Sequence, residues 1–243
     1  KADEKNEKKF AASTNTLFAS DNGYYSLNTL DNRQIYGEGL VSINKPLNKK
    51  YNLTANVGTP IEDIVYNQYL YGGKLQGVAN LYTYPNVNTS TSDVSQSGYH
   101  KQNQSVFANA QLSYQNMIFL DVTGRNDWAS TLAESGSSSF FYPSIGLSGV
   151  ITDLFDIRSD YLSFLKLRAS YSEVGNEPDV FLTNPTYALA GGFPVTQTRM
   201  PNPDLKPELT KSWEAGLNAA FFKGTLRLDA TVYSSRTYNQ FFE

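Results

Sequence analysis

Hydrophobic and polar residues alternate along much of this chain with a period of two. In SWEAGLNAAFFKGTLRLDATVYSS (212–235), Trp213, Ala215, Leu217, Ala219 and Phe221 fall on one face, against Ser212, Glu214, Gly216, Asn218 and Ala220. After a tight turn, Leu226, Leu228, Ala230 and Val232 oppose Thr225, Arg227, Asp229 and Thr231. Such alternation predicts antiparallel strands with one apolar and one polar face. The same pattern recurs at 35–43, 51–58, 105–114, 117–125, 141–151 and 164–172. Together these segments predict about eight strands, near the 9–11-residue length with which a tilted strand crosses a bilayer.

The joins between them are unequal. Short ones fall at 45–50, 115–116 and 222–224, with a longer one at 152–163; the pattern leaves long loops at 59–104, 126–140 and 173–210. Short turns at one end and long loops at the other are the layout of outer-membrane barrels, with the short turns periplasmic and the long loops extracellular. A sandwich places turn signals every 8–12 residues instead. The polar face carries Asp121, Arg125, Lys166, Arg168, Glu214, Arg227 and Asp229, whereas the other face is uncharged. A polar lumen and a lipid-facing belt account for that division. A soluble sheet solvated on one face alternates identically, so that alternative stays open.

Composition narrows the function. The 243 residues are 40% hydrophobic and hold no run of about 18 apolar residues, which excludes a membrane helix but not a barrel. A net charge of −3 argues against nucleic acid. Cysteine is absent and His100 is the single histidine, so thiolate or histidine chemistry and His-based metal sites have no material. The Ser-rich stretch 131–141 has no base partner, and no phosphate-cradling glycine motif is present. The reading is a protein that is not an enzyme and needs no cofactor. Seventeen Tyr and 14 Phe suit a membrane girdle or a carbohydrate-facing surface. KADEKNEKK at the start is a solvated charge run rather than the apolar core of a signal peptide, and the chain stops just after a strand. It reads as a piece of a longer chain, or as a product trimmed at both ends.

Candidate binding residues follow from this layout. Tyr66, Tyr69, Tyr71, Tyr82, Tyr84 and Tyr99 fall in the 59–104 loop, where rings stack on sugar faces, pack into a loop core or form a girdle. The first five of these, with Trp128, are the candidate substrate-binding residues. In GRNDW (124–128), Arg125, Asn126 and Asp127 are read as a strand-end turn with an internal ion pair, with a ligand role as the alternative. VGNEPD (174–179) and MPNPDLKPE (200–208) are read as turns. Tyr51, Tyr114, Phe221 and Phe222 beside the short turns fit an interfacial girdle. The lumen charges either pair across strands or shape a polar path.

Four ordered stretches carry a resemblance: SGYHKQNQSVFANAQLSYQNMIFLDVTGRNDWAS (97–130), SFFYPSIGLSGVITDLF (139–155), LSFLKLRASYSEVGNEP (162–178) and NPDLKPELTKSWEAGLNAAFFKGTLRLDATVYSSRTYNQFF (202–242). They resemble the barrel of the SusC/RagA family of TonB-dependent outer-membrane transporters of Bacteroidetes. Pro207 stands where that family often has Trp, and the family's plug, TonB-contacting segment and final strands have no counterpart here. The resemblance implies that residues 1–243 are part of a receptor barrel in the outer membrane, in contact with its lipid. It implies energy delivered by TonB through the missing N-terminal part, a SusD-like surface lipoprotein as partner, and an oligosaccharide cargo with peptide as the alternative. At about 30 residues per strand, a 22-stranded wall needs roughly 660 residues. A small closed adhesin-like barrel and a soluble glycan-binding β domain are the competing readings.

Overall fold

The computed structural model describes residues 1–13, 22–184, 186–187, 189–190, 192–196 and 200–241. Its strands are β1 (Ala2–Ala11), β2 (Tyr24–Pro46), β3 (Tyr51–Lys74), β4 (Asp93–Tyr114), β5 (Ile118–Ala129), β6 (Ser139–Val150), β7 (Leu162–Asn176), β8 (Leu189–Ala190), β9 (Phe193–Pro194), β10 (Glu208–Phe221) and β11 (Leu226–Tyr238). Nine of them form one antiparallel sheet in the order β1-β2-β3-β4-β5-β6-β7-β10-β11, and β8 pairs with β9. The large sheet does not close on itself among the described residues, which removes the reading of a small closed barrel.

The predicted strands are present, but several are longer than their alternation showed. The segment read as a 59–104 loop is mostly strand: β3 runs on to Lys74, β4 begins at Asp93, and only 75–92 connects them. The other two long joins shrink to 130–138 and 177–207, so Val174–Asn176 of VGNEPD and all of GRND belong to strands rather than turns. The opening charge run is exposed, as expected, yet it forms β1, paired with β2 from Ala2↔Arg33 to Ala11↔Tyr24. Opposite charges two apart share one face, where Lys1, just before the strand, pairs with Asp3 at 2.9 Å and Lys5 with Glu7.

The short turns have definite causes. At 115–116, Gln115 and Asn116 both take positive φ (48° and 56°), and Met117 N–H donates to Tyr114 C=O at 2.9 Å; this is the turn whose twist suits a hairpin. Asn48 Oδ1 accepts from the N–H groups of Lys50 and Tyr51, closing the turn after β2. A single helical turn, α1 (Ile151–Leu154), fills part of the 152–163 join.

The chain divides into two compact units. One comprises 1–36 and 62–102, the other 37–61 and 103–243. The first has a small core of Tyr25, Leu75 and Val87 with Tyr71 and Tyr82 against it. The second has a core of Ala129, Leu132 and Leu205 with Phe140 and Leu182. Both cores sit at the loops that join strands, not on the apolar stripe of the sheet. Leu147 (55% exposed), Leu228 (49%) and Val232 (64%) of that stripe stay about half exposed or more among the described residues. A soluble sandwich buries such residues between its sheets, and no second sheet covers them among the described residues.

Candidate functional site

Register turns the alternation of the second unit into two distinct faces. On one, rows run across the sheet as Leu112–Leu120–Leu147–Ala169–Ala215–Val232 and Ala110–Val122–Ile145–Tyr171–Trp213–Ser234. On the other, the rows are Gln111–Asp121–Gly146–Ser170–Glu214–Tyr233 and Asn109–Thr123–Ser144–Ser172–Ser212–Ser235. A one-residue slip in any strand would mix the two, so the division itself specifies the register.

The polar face is knit by hydrogen bonds across strands. Arg168 on β7 donates to Asp229 on β11 at 3.0 Å and to Asn218 and Thr231, and lies 3.5 Å from Glu214 on β10. Asn218 also donates to Asp229 at 2.7 Å. Arg125 pairs with Asp127 at 2.7 Å and donates to Ser105 at 3.0 Å, while the Tyr142 hydroxyl donates to Asp127. Gln111 donates to Asp121 at 2.7 Å, and Asn56 to Asn109 at 2.7 Å. The Lys166 ammonium stands 5.5 Å from the Phe119 ring centroid, and Arg227 faces the same way, opposite Ala220.

Six of the seven predicted lumen residues thus enter contacts on one face, and cross-strand pairing dominates them. The internal Arg125–Asp127 ion pair expected from GRNDW is present, on an extended strand where i and i+2 share a face. The sequence reading missed Tyr142 and Ser105 as its partners. Parity alone places Tyr142 beside Ser144 and Gly146, but only the register with β5 brings it to Asp127.

The predicted aromatic binders do not form one site. Tyr71, Tyr82 and Tyr84 gather with Tyr25: Tyr71 and Tyr84 meet edge-on at 5.1 Å, Tyr25 and Tyr84 at 5.6 Å, and Phe10 and Tyr82 at 5.3 Å. They form the self-packed core under loop 75–92. Tyr66 stacks on Tyr99 at 5.3 Å between strands, and Tyr69 is exposed on β3. Trp128 falls on the face of Val122 and Asn126, opposite to Arg125 and Asp127. Near the short turns, Tyr51 packs on Tyr114 at 5.0 Å and Tyr161 on Phe222 at 6.1 Å. No cluster of metal-ligating side chains occurs among the described residues.

Loop 75–92 is pinned by one buried side chain. Asn86 Oδ1 accepts from the N–H groups of Gly77 and Val78 at 3.0 Å each. Its Nδ2 donates to the carbonyls of Val78 and Leu81 at 2.7 and 2.9 Å. In the second unit, Glu177 does comparable work, accepting from Asn103 at 2.8 Å and Thr131 at 3.0 Å.

Comparison with known proteins fits this geometry. The family model described as "TonB dependent receptor-like, beta-barrel" matches residues 5–243. TonB-dependent receptor P26 of Formosa agariphila is 27% identical over 240 residues, covering 93% of this chain and 24% of the relative. TonB-dependent receptor P39 of the same organism is 27% identical over 235 residues, covering 89% and 21%. The chain therefore spans about a quarter of the length of the curated relatives it matches. Among solved structures, a chain of the RagAB peptide transporter superposes with a TM-score of 0.83 at 19% identity, over 97% of this chain and 27% of its own. The RagAB peptide importer in the open-open state gives 0.79 at 22% identity, with the same coverage. These two likenesses are of fold, and the fold is the antiparallel wall with one polar and one apolar face derived above. The chain belongs to the TonB-dependent receptor-like β-barrel family.

Proposed function

We propose that the chain forms part of the wall of an outer-membrane, TonB-dependent nutrient importer. The observation that carries this reading is the pair of faces on one sheet. The apolar stripe is uncharged over its middle rows and stays exposed among the described residues, as a lipid-facing belt requires. The opposite face spends its charges on cross-strand pairs, as a water-filled lumen allows. Belt height agrees: a band about 25 Å tall crossed at about 40° takes about ten residues of strand. Counting from Phe221 at the short-turn end, that length reaches Lys211, the first charge met on the apolar face of β10.

In this reading the residues 1–243 are one section of barrel, and the remaining strands and the plug belong to the rest of the receptor. Energy arrives through TonB, and a SusD-like surface lipoprotein caps the mouth. The motif resemblance favours an oligosaccharide as cargo; the peptide transport named for RagAB makes peptide the second candidate. Asp121, Arg125, Lys166, Arg168, Glu214, Arg227 and Asp229 then line the polar path. Of the candidate stacking residues in this segment, the exposed Tyr69 and Tyr84 are the most open to cargo, because Tyr71 and Tyr82 pack on the loop core and Tyr66 stacks on Tyr99.

Deletion of the whole receptor gene in its native host, with uptake of labelled oligosaccharides and peptides followed in parallel, tests the proposal. Loss of one cargo class, restored by the intact gene, is the expected result. Unchanged uptake of both classes, or recovery of the receptor without membranes, overturns it.

A further inference from the structure

Directly above the belt on β7, β10 and β11 the apolar face ends in a charged row. Glu173, Lys211 and Arg236 are consecutive cross-strand neighbours, one row beyond Tyr171, Trp213 and Ser234. Lys211 pairs with Glu173 at 2.9 Å, and Tyr171 donates its hydroxyl to the same carboxylate at 2.6 Å. The row holds two cations and one anion, so its net charge is +1. Arg236 is exposed, on the side away from Glu173.

Below the intervening row of Tyr171, Trp213 and Ser234 the apolar face is hollow. Ala169 and Ala215 lie opposite each other, flanked by Leu147 on one side and Val232 on the other. The small pair between large neighbours makes the floor of an open groove of about 620 Å³, lined almost wholly by apolar atoms and ending at Ile151 and Leu154 near the short turns. Net positive charge one aromatic row above an apolar trough is the complement of a lipid with an anionic headgroup, whose acyl chain runs past the rings into the trough. Aromatic rings at the same height mark the headgroup level, where cations and phosphates meet.

We infer that Lys211 and Arg236 bind the phosphate of an anionic membrane lipid, with its acyl chain lying in the Ala169–Ala215 groove. The inference rests on the membrane-wall reading. Glu173 and Tyr171 are positioning residues: with the Tyr238 ring, 5.9 Å from the ammonium, they hold Lys211 in the charged row. The site commits to a lipid rather than free phosphate, because the groove is lined almost wholly by apolar atoms, which receive a chain and not an anion.

The test uses the full-length receptor in a neutral detergent, titrated with dioleoyl phosphatidylglycerol and dioleoyl phosphatidylcholine and read by native mass spectrometry. With one net cation near the headgroup, the receptor is expected to prefer the anionic lipid about fivefold. Lys211→Gln with Arg236→Gln removes the preference, and Ala215→Phe weakens both lipids alike. Equal binding of the two lipids by the native receptor, or a preference that survives the double substitution, overturns the headgroup site. Adding phosphatidylglycerol against inorganic phosphate separates sources: competition by phosphate alone at equal concentration overturns the acyl component. Detergent dependence is scored in the same samples. A receptor that stays monodisperse without detergent sinks the wall reading itself, whereas a detergent-dependent one lacking the preference sinks only the lipid site.

Discussion

The guanidinium of Arg168 on β7 lies across Gly216 on β10, in the space a side chain there would take. A Cβ on Gly216 would stand 2.8 Å from both Nε and Cζ of Arg168. Passing over the glycine, the arginine reaches Asp229 on β11. One residue thereby ties three strands on the lumen side, and it does so because the middle strand offers no side chain at the crossing.

Gly216→Ala is expected to fold, since the obstructing atoms are the far end of a flexible side chain, but to push Arg168 off Asp229. Its effect on the Tm of the full-length receptor is expected to be contained in that of Arg168→Ala, so that the double variant melts with the arginine single. Additive shifts would show that the two residues act separately.

Gly72 behaves differently. A Cβ there would lie 2.5 Å from Ser26 Cα and 2.7 Å from the Tyr25 carbonyl, and backbone cannot step aside as a side chain does. Gly72→Ala is expected to cost about 1–3 kcal/mol as overpacking. Hydrogen exchange should rise in residues 24–30 and 68–75, with the 208–238 hairpin unaffected.

Asn86 satisfies four backbone groups in loop 75–92. Asn86→Ala leaves these groups without their partner, at a cost of about 1–3 kcal/mol locally. Limited proteolysis should open 76–88 while the strands stay protected; a loop as resistant as the native one would contradict the assignment.

Lipid on the apolar face predicts a graded penalty. Leu217→Arg, near the middle of the belt, is expected to cost about 2–4 kcal/mol, and Ser234→Arg, at its upper margin, about 0–1 kcal/mol. Equilibrium unfolding from vesicles measures both. Equal penalties at the two depths would fit a protein core, not a bilayer.

Strand β3 is 24 residues long, more than twice what a tilted crossing needs, and Asp63 lies in the excess. Its carboxyl is held below the ordinary range, first by the hydrogen bond with His100, 2.7 Å away. A lowered carboxylate pKa stabilises the folded state above its unfolded value and loses that contribution as pH falls through the folded one. Exchange at 61–65 and 98–102 should therefore accelerate below about pH 4, and Asp63→Asn should remove the step. An unchanged profile in Asp63→Asn would assign the step elsewhere.

How much of this was legible depends on what each strand faces. In 105–125, 141–151 and 212–232 one side meets apolar surroundings and the other water, so period two is written into the residues. Beyond Gly58 on β3 the aliphatic residues Ile61, Ile64, Val65 and Leu70 fall on both faces among polar and aromatic ones, and before Ser105 on β4 only Val94 is aliphatic, so the alternation that marks a strand vanishes. The same holds for β1, whose charges fall on both faces and read only as a solvated run. The lumen charges were visible as a face. Gly216 was not visible as the gap beneath Arg168, because its role exists only once register sets it between β7 and β11.

The central claim is that residues 213, 215, 217 and 219 look at lipid and 214, 216 and 218 at water. This segment contains no cysteine, so single cysteines carrying spin labels can be placed at each position of the full-length receptor in bilayers. The account predicts that collision with oxygen peaks at the odd positions and collision with a water-soluble nickel chelate at the even ones. Odd positions shielded from both reagents would put the apolar face against protein, and the wall would have to be abandoned.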